Sequence, residues 1–202
     1  MKIYIIRHSE SVDDVLHRYG GAADWDITEN GIKTAEKFLP VFDSFGVQKV
    51  YTSPLKRSYK TADVLTKNKN LPVEKVYDLR VDSIDGMFTG VENDLVPELF
   101  GYLMERPEYA GAGYYQRKSV PGGEPVPVLD KRLKKALKYC VKASKNLNAI
   151  AIVSHSALFK SFYFNVLKDK REILDIKDCA YFEVDYTKGK FKVLKEEGII
   201  FA

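Results

Sequence analysis

A chain of 202 residues with 45% hydrophobic and 12% aromatic side chains can bury one sizeable core, so a single compact domain over residues 1–202 is expected. The net charge of +4 suits small anionic molecules and is too diffuse for a nucleic-acid surface. A core strand opens the chain, no apolar stretch reaches membrane-spanning length, and Cys140 and Cys179 lie too far apart for a zinc spacing or a disulfide framework, so a cytoplasmic protein with reduced, structural cysteines is expected.

Met1 to Ile6 is β-branched, aromatic and nearly uncharged, the pattern of a buried parallel strand, and it delivers Arg7 and His8 at its carboxyl end. Lys49 to Ser53 is a second short strand pattern. Ser53-Pro54 then reads as an N-cap followed by proline at the first helical position, opening a helix through Leu55, Tyr59, Ala62 and Leu65 with Arg57 in its first turn. The stretch from Glu105 to Pro127 is rich in proline, glycine and tyrosine, a loop long enough to act as a lid. Leu129, Leu133, Ala136, Leu137 and Cys140 form the apolar stripe of an amphipathic helix whose lysines are its wet face. Ala149 to Ser154 is an unbroken apolar strand, followed by His155 and a helical pattern through Leu158, Phe159, Phe162, Tyr163 and Val166. Tyr181–Asp185 and Phe191–Lys195, split by a turn at Thr187-Lys188-Gly189, read as a closing hairpin. His17 has no partner at metal-ligand spacing and is expected at most on a site's rim.

Alternating parallel strands and helices bring strand carboxyl ends to one edge, where open α/β sheets bind ligands. Arg7, His8, Arg57 and His155 can converge there. Guanidinium forks match phosphate oxygens, and helix amino ends add N–H donors, so the cluster is suited to a phosphoryl group. An imidazole among cations has its protonated form disfavoured, which leaves His8 a neutral nucleophile. No metal site is expected.

These segments resemble the histidine phosphatase superfamily, the phosphoglycerate mutase-like proteins, over nearly the whole chain. The family's Arg-His-Gly-Glu-Thr is matched by Arg7-His8-Ser9-Glu10-Ser11, and its Gly…Asp…Leu-Thr-Glu-x-Gly by Gly21, Asp24 to Asp26 and Ile27-Thr28-Glu29-Asn30-Gly31. Ser-Pro-Leu-x-Arg-Ala-x-x-Thr-Ala is matched by Ser53 to Ala62, Pro-Gly-Gly-Glu-Ser by Pro121 to Pro125, and Val-Ser-His-Gly-Gly by Val153-Ser154-His155-Ser156-Ala157. The resemblance implies a three-layer α/β sandwich with a mostly parallel central sheet flanked by helices, and a lid or insertion around residues 91–127. It implies that His8 becomes a phosphohistidine while Arg7, Arg57 and His155 hold the phosphoryl oxygens. Aligning Gly86 and Gly90 with the family's glycines puts Asp82 at the general-acid position, with Asp85 the lesser choice. Ser9, Asp14, Ser156 and, from the lid, Tyr115 complete the expected substrate-binding set, with Tyr114, Gln116 and Arg117 as neighbours of Tyr115.

Three residues depart from the family pattern. Ser9 replaces a glycine, Ser156-Ala157 replaces Gly-Gly, and Asp14 stands where many members carry an asparagine that binds the phosphoryl group. As a carboxylate Asp14 would repel phosphate unless turned away, protonated or paired with Arg18. The resemblance implies a metal-independent phosphomonoesterase without a cofactor, acting on a small phosphorylated metabolite. Alternatives are a cofactor-dependent phosphoglycerate mutase, whose Glu-Arg-x-Tyr-Gly segment has no counterpart in Thr89-Gly90-Val91-Glu92-Asn93, and a catalytically silent phosphate-binding module. Neither nucleic acid nor membrane is an expected partner; the quaternary state stays open, a homodimer included.

Overall fold

Along the first strand, β1 (Lys2–Arg7), side chains alternate between two cores: Ile3 and Ile5 face one, Tyr4 and Ile6 the other. That period of two is what a strand covered on both faces requires. The computed structural model describes residues 1–81, 85–106, 120–169 and 171–202. In it β1, β2 (Lys49–Thr52), β3 (Val73–Lys75) and β4 (Ala149–Ser154) form a parallel set in the order β3-β2-β4-β1. The closing hairpin, β5 (Ile173–Thr187) and β6 (Lys190–Phe201), adds two antiparallel strands beside β1, with β6 at the sheet edge.

Helices cover both faces, giving the expected α/β sandwich with a mixed, mostly parallel sheet. On the face of Ile3 and Ile5 lie α5 (Val126–Ala143), through Leu129, Leu133, Leu137 and Cys140, and α6 (Ser156–Ser161), through Leu158 and Phe159. On the face of Tyr4 and Ile6 lie α2 (Glu29–Ser44), through Phe42, and α3 (Lys56–Thr66), through Ala62 and Leu65. Strand β4 is buried at every position, and each of its isoleucines contributes about 1.5–3 kcal/mol of burial. Two further helices are α1 (Val12–Val15) and α4 (Leu95–Met104); Val96 and Phe100 of α4 pack with Phe88 and Tyr19 in a small separate cluster. No described helix is long and apolar enough to cross a membrane.

Two local features set the geometry around the first strand's end. Thr28 caps α2, its hydroxyl accepting the Gly31 N–H at 2.9 Å. A Cβ at Gly31 would stand 2.2 Å from the carbonyl oxygen of Glu10, so the glycine lets α2 begin directly against the segment that follows His8. The start of α3 differs from the sequence expectation. Ser53 is not its N-cap: the helix starts at Lys56, with Leu55 in the cap position. Asp24 does the capping from a distant loop, its Oδ1 accepting the Lys56 N–H at 2.7 Å, while the Ser53 hydroxyl is engaged by His155.

Candidate active site

The carboxyl ends of β2, β4 and β1 are adjacent in the sheet, and the residues just beyond them build one cleft. His8 extends the β1–β4 ladder, its N–H bonding the Ser154 carbonyl at 3.0 Å, and Ser53 extends the β2–β4 ladder to Val153 at 3.0 Å. His155 is the N-cap of α6. Rings of His8 and His155 meet edge to face with centroids 5.2 Å apart. A cleft of about 190 Å³ is lined by Arg7, His8, Arg57 and His155 together with Asp14 and Ser156; Asp13, Val81, Asp85 and Lys160 also reach its wall.

The nucleophile candidate is held in one tautomer. Nδ1 of His8 lies 2.8 Å from the carbonyl oxygen of Ser9; a carbonyl only accepts, so Nδ1 carries the proton and Nε2 keeps its lone pair. Burial holds the His8 pKa well below the ordinary imidazole value, and the Arg7 and Arg57 charges push it the same way. His155 is depressed likewise, by burial first and then by Arg57, His8, Arg7 and Arg132. Its Nε2 sits 2.8 Å from Ser53 Oγ and 3.3 Å from Ser58 Oγ, whereas its Nδ1 is buried with no partner among the described residues. A ligand oxygen entering the cleft can satisfy a buried ring nitrogen of this kind.

Each arginine is oriented by several contacts. Arg57, 2% exposed, donates from Nη1 to the Ala23 carbonyl at 2.8 Å and from Nη2 to the Gly21 carbonyl at 2.9 Å. Asp13 lies behind this loop: a Cβ at Gly20 would stand 2.0 Å from Asp13 Oδ2, so only glycine leaves that carboxylate room. Burial lowers the Arg57 pKa, opposed chiefly by Asp13 and then by Asp14 and Asp24. Arg7 is gripped from two sides, by Asp178 Oδ1 on Nη1 at 2.6 Å and by Asp14 Oδ1 on Nη2 at 3.2 Å.

Asp14 therefore neither turns away nor pairs with Arg18. Its Oδ2 accepts the backbone N–H and the hydroxyl of Ser11 at 2.9 and 2.8 Å, capping α1, and its Oδ1 faces Arg7; Arg18 pairs instead with Glu92 at 2.7 Å. Ser9 is fully buried, its hydroxyl 3.0 Å from Thr61 Oγ1 on α3. Ser156 opens α6 on the cleft wall. Asp82 and Tyr115, with Tyr114, Gln116 and Arg117, lie outside the described residues. Val81 and Asp85 on either side of the acid stretch both line the cleft. Asp178, absent from the expected set, is the residue that sequence reading missed; its partner Arg7 is 171 positions away and no local pattern announces it. Among the described residues, no group of three or more His, Cys, Asp or Glu is placed to hold a metal ion.

A second network fixes the approach to the acid stretch. Arg132 on α5 binds Glu124 through both ends of its fork, at 3.0 and 2.6 Å, and donates from Nη1 to the carbonyls of Asp78 and Arg80 at 2.8 and 2.9 Å. Both partners are nearly buried, which makes the pair costly to break. Ser154 adds a hydroxyl bond to the Leu79 carbonyl at 2.8 Å.

Phosphoserine phosphatase 1 of Hydrogenobacter thermophilus is 31% identical over 172 residues, covering 83% of this chain and 76% of that protein. Among solved structures, phosphoglycerate mutase of Bacillus anthracis superposes with a TM-score of 0.81 at 18% identity, covering 98% of this chain and 92% of the other. A histidine-to-alanine mutant of phosphoserine phosphatase from Entamoeba histolytica, in complex with phosphoserine, superposes with a TM-score of 0.75 at 19% identity, covering 97% and 96%. The model of the histidine phosphatase superfamily (branch 1) matches residues 3–197, and with the paired imidazoles and arginines at the sheet's carboxyl edge, the chain belongs to that superfamily.

Proposed function

We propose that the protein hydrolyses phosphate monoesters of small metabolites through a phosphohistidine at His8. The observation that carries this reading is the His8 tautomer: with Nδ1–H tied to the Ser9 carbonyl, the ring presents an unprotonated Nε2 beside two guanidinium groups. The ester phosphorus accepts the Nε2 lone pair, an N–P bond forms, and the P–O bond to the leaving group breaks. Charge on the phosphoryl oxygens is matched by Arg7 and Arg57, so the positive field needed in phosphoryl transfer comes from side chains. His155 contributes a donor if Nε2 accepts the Ser53 hydroxyl proton, because Nδ1–H is then free for a phosphoryl oxygen.

Asp82 is the proposed general acid: it gives its proton to the leaving oxygen, then takes one from the water that attacks phosphorus as the N–P bond breaks. Ser156 and Asp14 would border the bound phosphoryl group, and Ser9 would steady the nucleophile's backbone through Thr61. Segment 91–127 is the proposed lid of a single-domain enzyme, with Tyr115 reaching the ester's organic part. Phosphoserine is the first ester to test, since the relative named for it matches along 83% of this chain and carboxylates at the cleft wall suit its ammonium group. Mutase activity is the second reading, favoured by the superposition on a phosphoglycerate mutase. A reducing cytoplasm fits the two free buried cysteines.

A panel of phosphate esters assayed with and without chelator, beside 3-phosphoglycerate with and without bisphosphoglycerate, tests the proposal. Hydrolysis insensitive to chelator is expected, with isomerisation negligible. Efficient isomerisation would replace hydrolysis by mutase chemistry, and oxoanion binding without turnover of any ester would mark a silent phosphate-binding module.

A further inference from the structure

We propose that Asp178 is the positioning residue of Arg7, so that the closing β5–β6 hairpin is part of the active site as well as the edge of the sheet. This rests on the reading of Arg7 as a phosphoryl ligand.

An arginine at a strand end has four side-chain torsions to fix, and immobilising it costs rotamer entropy. Two carboxylates from opposite sides restrict those torsions before substrate arrives: Asp14, itself fastened by Ser11, on Nη2, and Asp178 on Nη1. Of the two contacts the one to Asp178 is the shorter, at 2.6 Å against 3.2 Å. The pair is also sheltered, with side-chain exposures of 14% for Arg7 and 28% for Asp178, unlike the exposed pairs that contribute next to nothing.

The backbone that presents Asp178 is irregular at this point. From Ile176 to Tyr181, five residue steps of β5 face only two steps of β6, from Ile199 to Glu197. Within that bulge the neighbour of Asp178, Cys179, adopts φ +54° although it is not glycine and is buried. A left-handed non-glycine residue is strained, and such strain collects where a side chain must be aimed. Bulges re-aim side chains in the same way. Here the side chain that benefits is a carboxylate, and its target is the guanidinium beside the nucleophile. Asp178 does not line the cleft that His8 and Asp14 line; it lines a separate groove against α2. It therefore reaches the phosphoryl site only through Arg7.

That placement makes the sign of a charge-removing substitution decisive. A carboxylate acting on the ligand through its charge repels phosphate, so its removal tightens binding; a carboxylate acting by holding an arginine does the opposite. The test measures inorganic phosphate as a competitive inhibitor of p-nitrophenyl phosphate hydrolysis, and vanadate binding directly, in Asp178→Ala, Asp178→Asn, Arg7→Ala and the double variant Arg7→Ala with Asp178→Asn. Loss of a hydrogen bond to a charged group predicts about tenfold weaker phosphate affinity in Asp178→Ala, with partial recovery in Asp178→Asn, which keeps an accepting oxygen. In the Arg7→Ala background, Asp178→Asn should change vanadate affinity by less than about twofold, the non-additivity of residues acting as a unit. Asp178→Asn is isosteric and keeps the test open should the alanine variant not fold. Tighter phosphate binding in Asp178→Asn, unchanged affinity in both Asp178 variants, or an equal loss with and without Arg7 would each overturn the inference. Unchanged affinity in Arg7→Ala would instead overturn the reading of the site itself.

Discussion

Nδ1 of His8 is bonded to the carbonyl oxygen of Ser9, its own neighbour in the chain, at 2.8 Å. A bond that local is set by the backbone turn leaving β1, so the proposed nucleophile is oriented by the strand that delivers it. In solution at neutral pH, nitrogen-detected NMR should show His8 as the Nδ1–H tautomer with an unprotonated Nε2. An Nε2–H tautomer would remove the lone pair that the proposed N–P bond requires. Quenching turnover in base should trap an acid-labile phosphohistidine that is lost in His8→Ala together with activity.

The depressed pKa values of His8 and His155 give stability a defined pH dependence. Both rings stay neutral in the fold at pH values where unfolded histidines, near 6.5, already bind a proton. The unfolded state then holds more protons, so stability rises with pH there. Both contributions should be fully present above about pH 6.5 and be lost as pH falls below it, each at up to about 1.4 kcal/mol per pH unit. Denaturant unfolding of the wild type and of His155→Gln across pH 5–8 checks this: the variant should show a shallower fall in acid. An equally steep fall would place the linkage elsewhere.

Ser53 and His155 make a further case. The Ser53 hydroxyl contacts His155 Nε2 at 2.8 Å, while Ser58 is more distant at 3.3 Å. Ser53→Ala should cost about 1–3 kcal/mol of stability, the cost of leaving a buried polar group poorly matched, and should lower kcat more than Ser58→Ala does. Equal effects from the two serines would show that the shorter contact has no special role.

Much of this site can be read from local sequence, and most of the exceptions share a cause. Strand ends carrying Arg7-His8 and His155 follow from apolar runs that stop at a polar pair, and the α5 stripe follows from helical spacing. The start of α3 could not be read, because Asp24 supplied the cap across 32 positions, while the Ser53 hydroxyl, 2.8 Å from His155 Nε2 across 102 positions, accepts the N–H of Leu55, one residue short of the helix, at 3.3 Å. Asp14 found Arg7 and not Arg18 because its place in α1 turns one carboxylate oxygen to Ser11 and the other to the strand end. Asp178 depends on a bulge in a hairpin, and a bulge has no composition signal of its own. For Ser53, Asp24 and Asp178 a polar side chain took a partner distant in sequence, where spacing rules carry no information.

Gly31 tests how closely α2 must approach the segment that follows His8. A Cβ there meets the Glu10 carbonyl at 2.2 Å, a contact with backbone that no rotamer change relieves. Gly31→Ala should destabilise by about 1–3 kcal/mol, as overpacked cores do, and should reduce kcat by shifting Glu10 and the adjoining His8 segment. Wild-type activity in a folded Gly31→Ala protein would show that this approach is not needed for catalysis.

The general acid is best decided through the leaving group. Positioned proton transfer contributes about 10²- to 10⁴-fold when the departing oxygen is a poor leaving group and little when it is a stable phenolate. Asp82→Asn should therefore slow hydrolysis of alkyl phosphates far more than that of p-nitrophenyl phosphate. Asp85, which lines the cleft at the other end of this stretch, is the control: Asp85→Asn should slow both esters alike and mildly. Arg132 supplies a third arm, because its bonds to the Asp78 and Arg80 carbonyls fix the turn leading into residue 82. Arg132→Met should reproduce the alkyl-selective loss in weaker form while raising KM little, since Arg132 orients the turn and does not line the cleft. Should Asp85→Asn carry the leaving-group dependence and Asp82→Asn lack it, the acid moves three residues along the chain, and the roles of His8, Arg7, Arg57 and His155 stand unchanged.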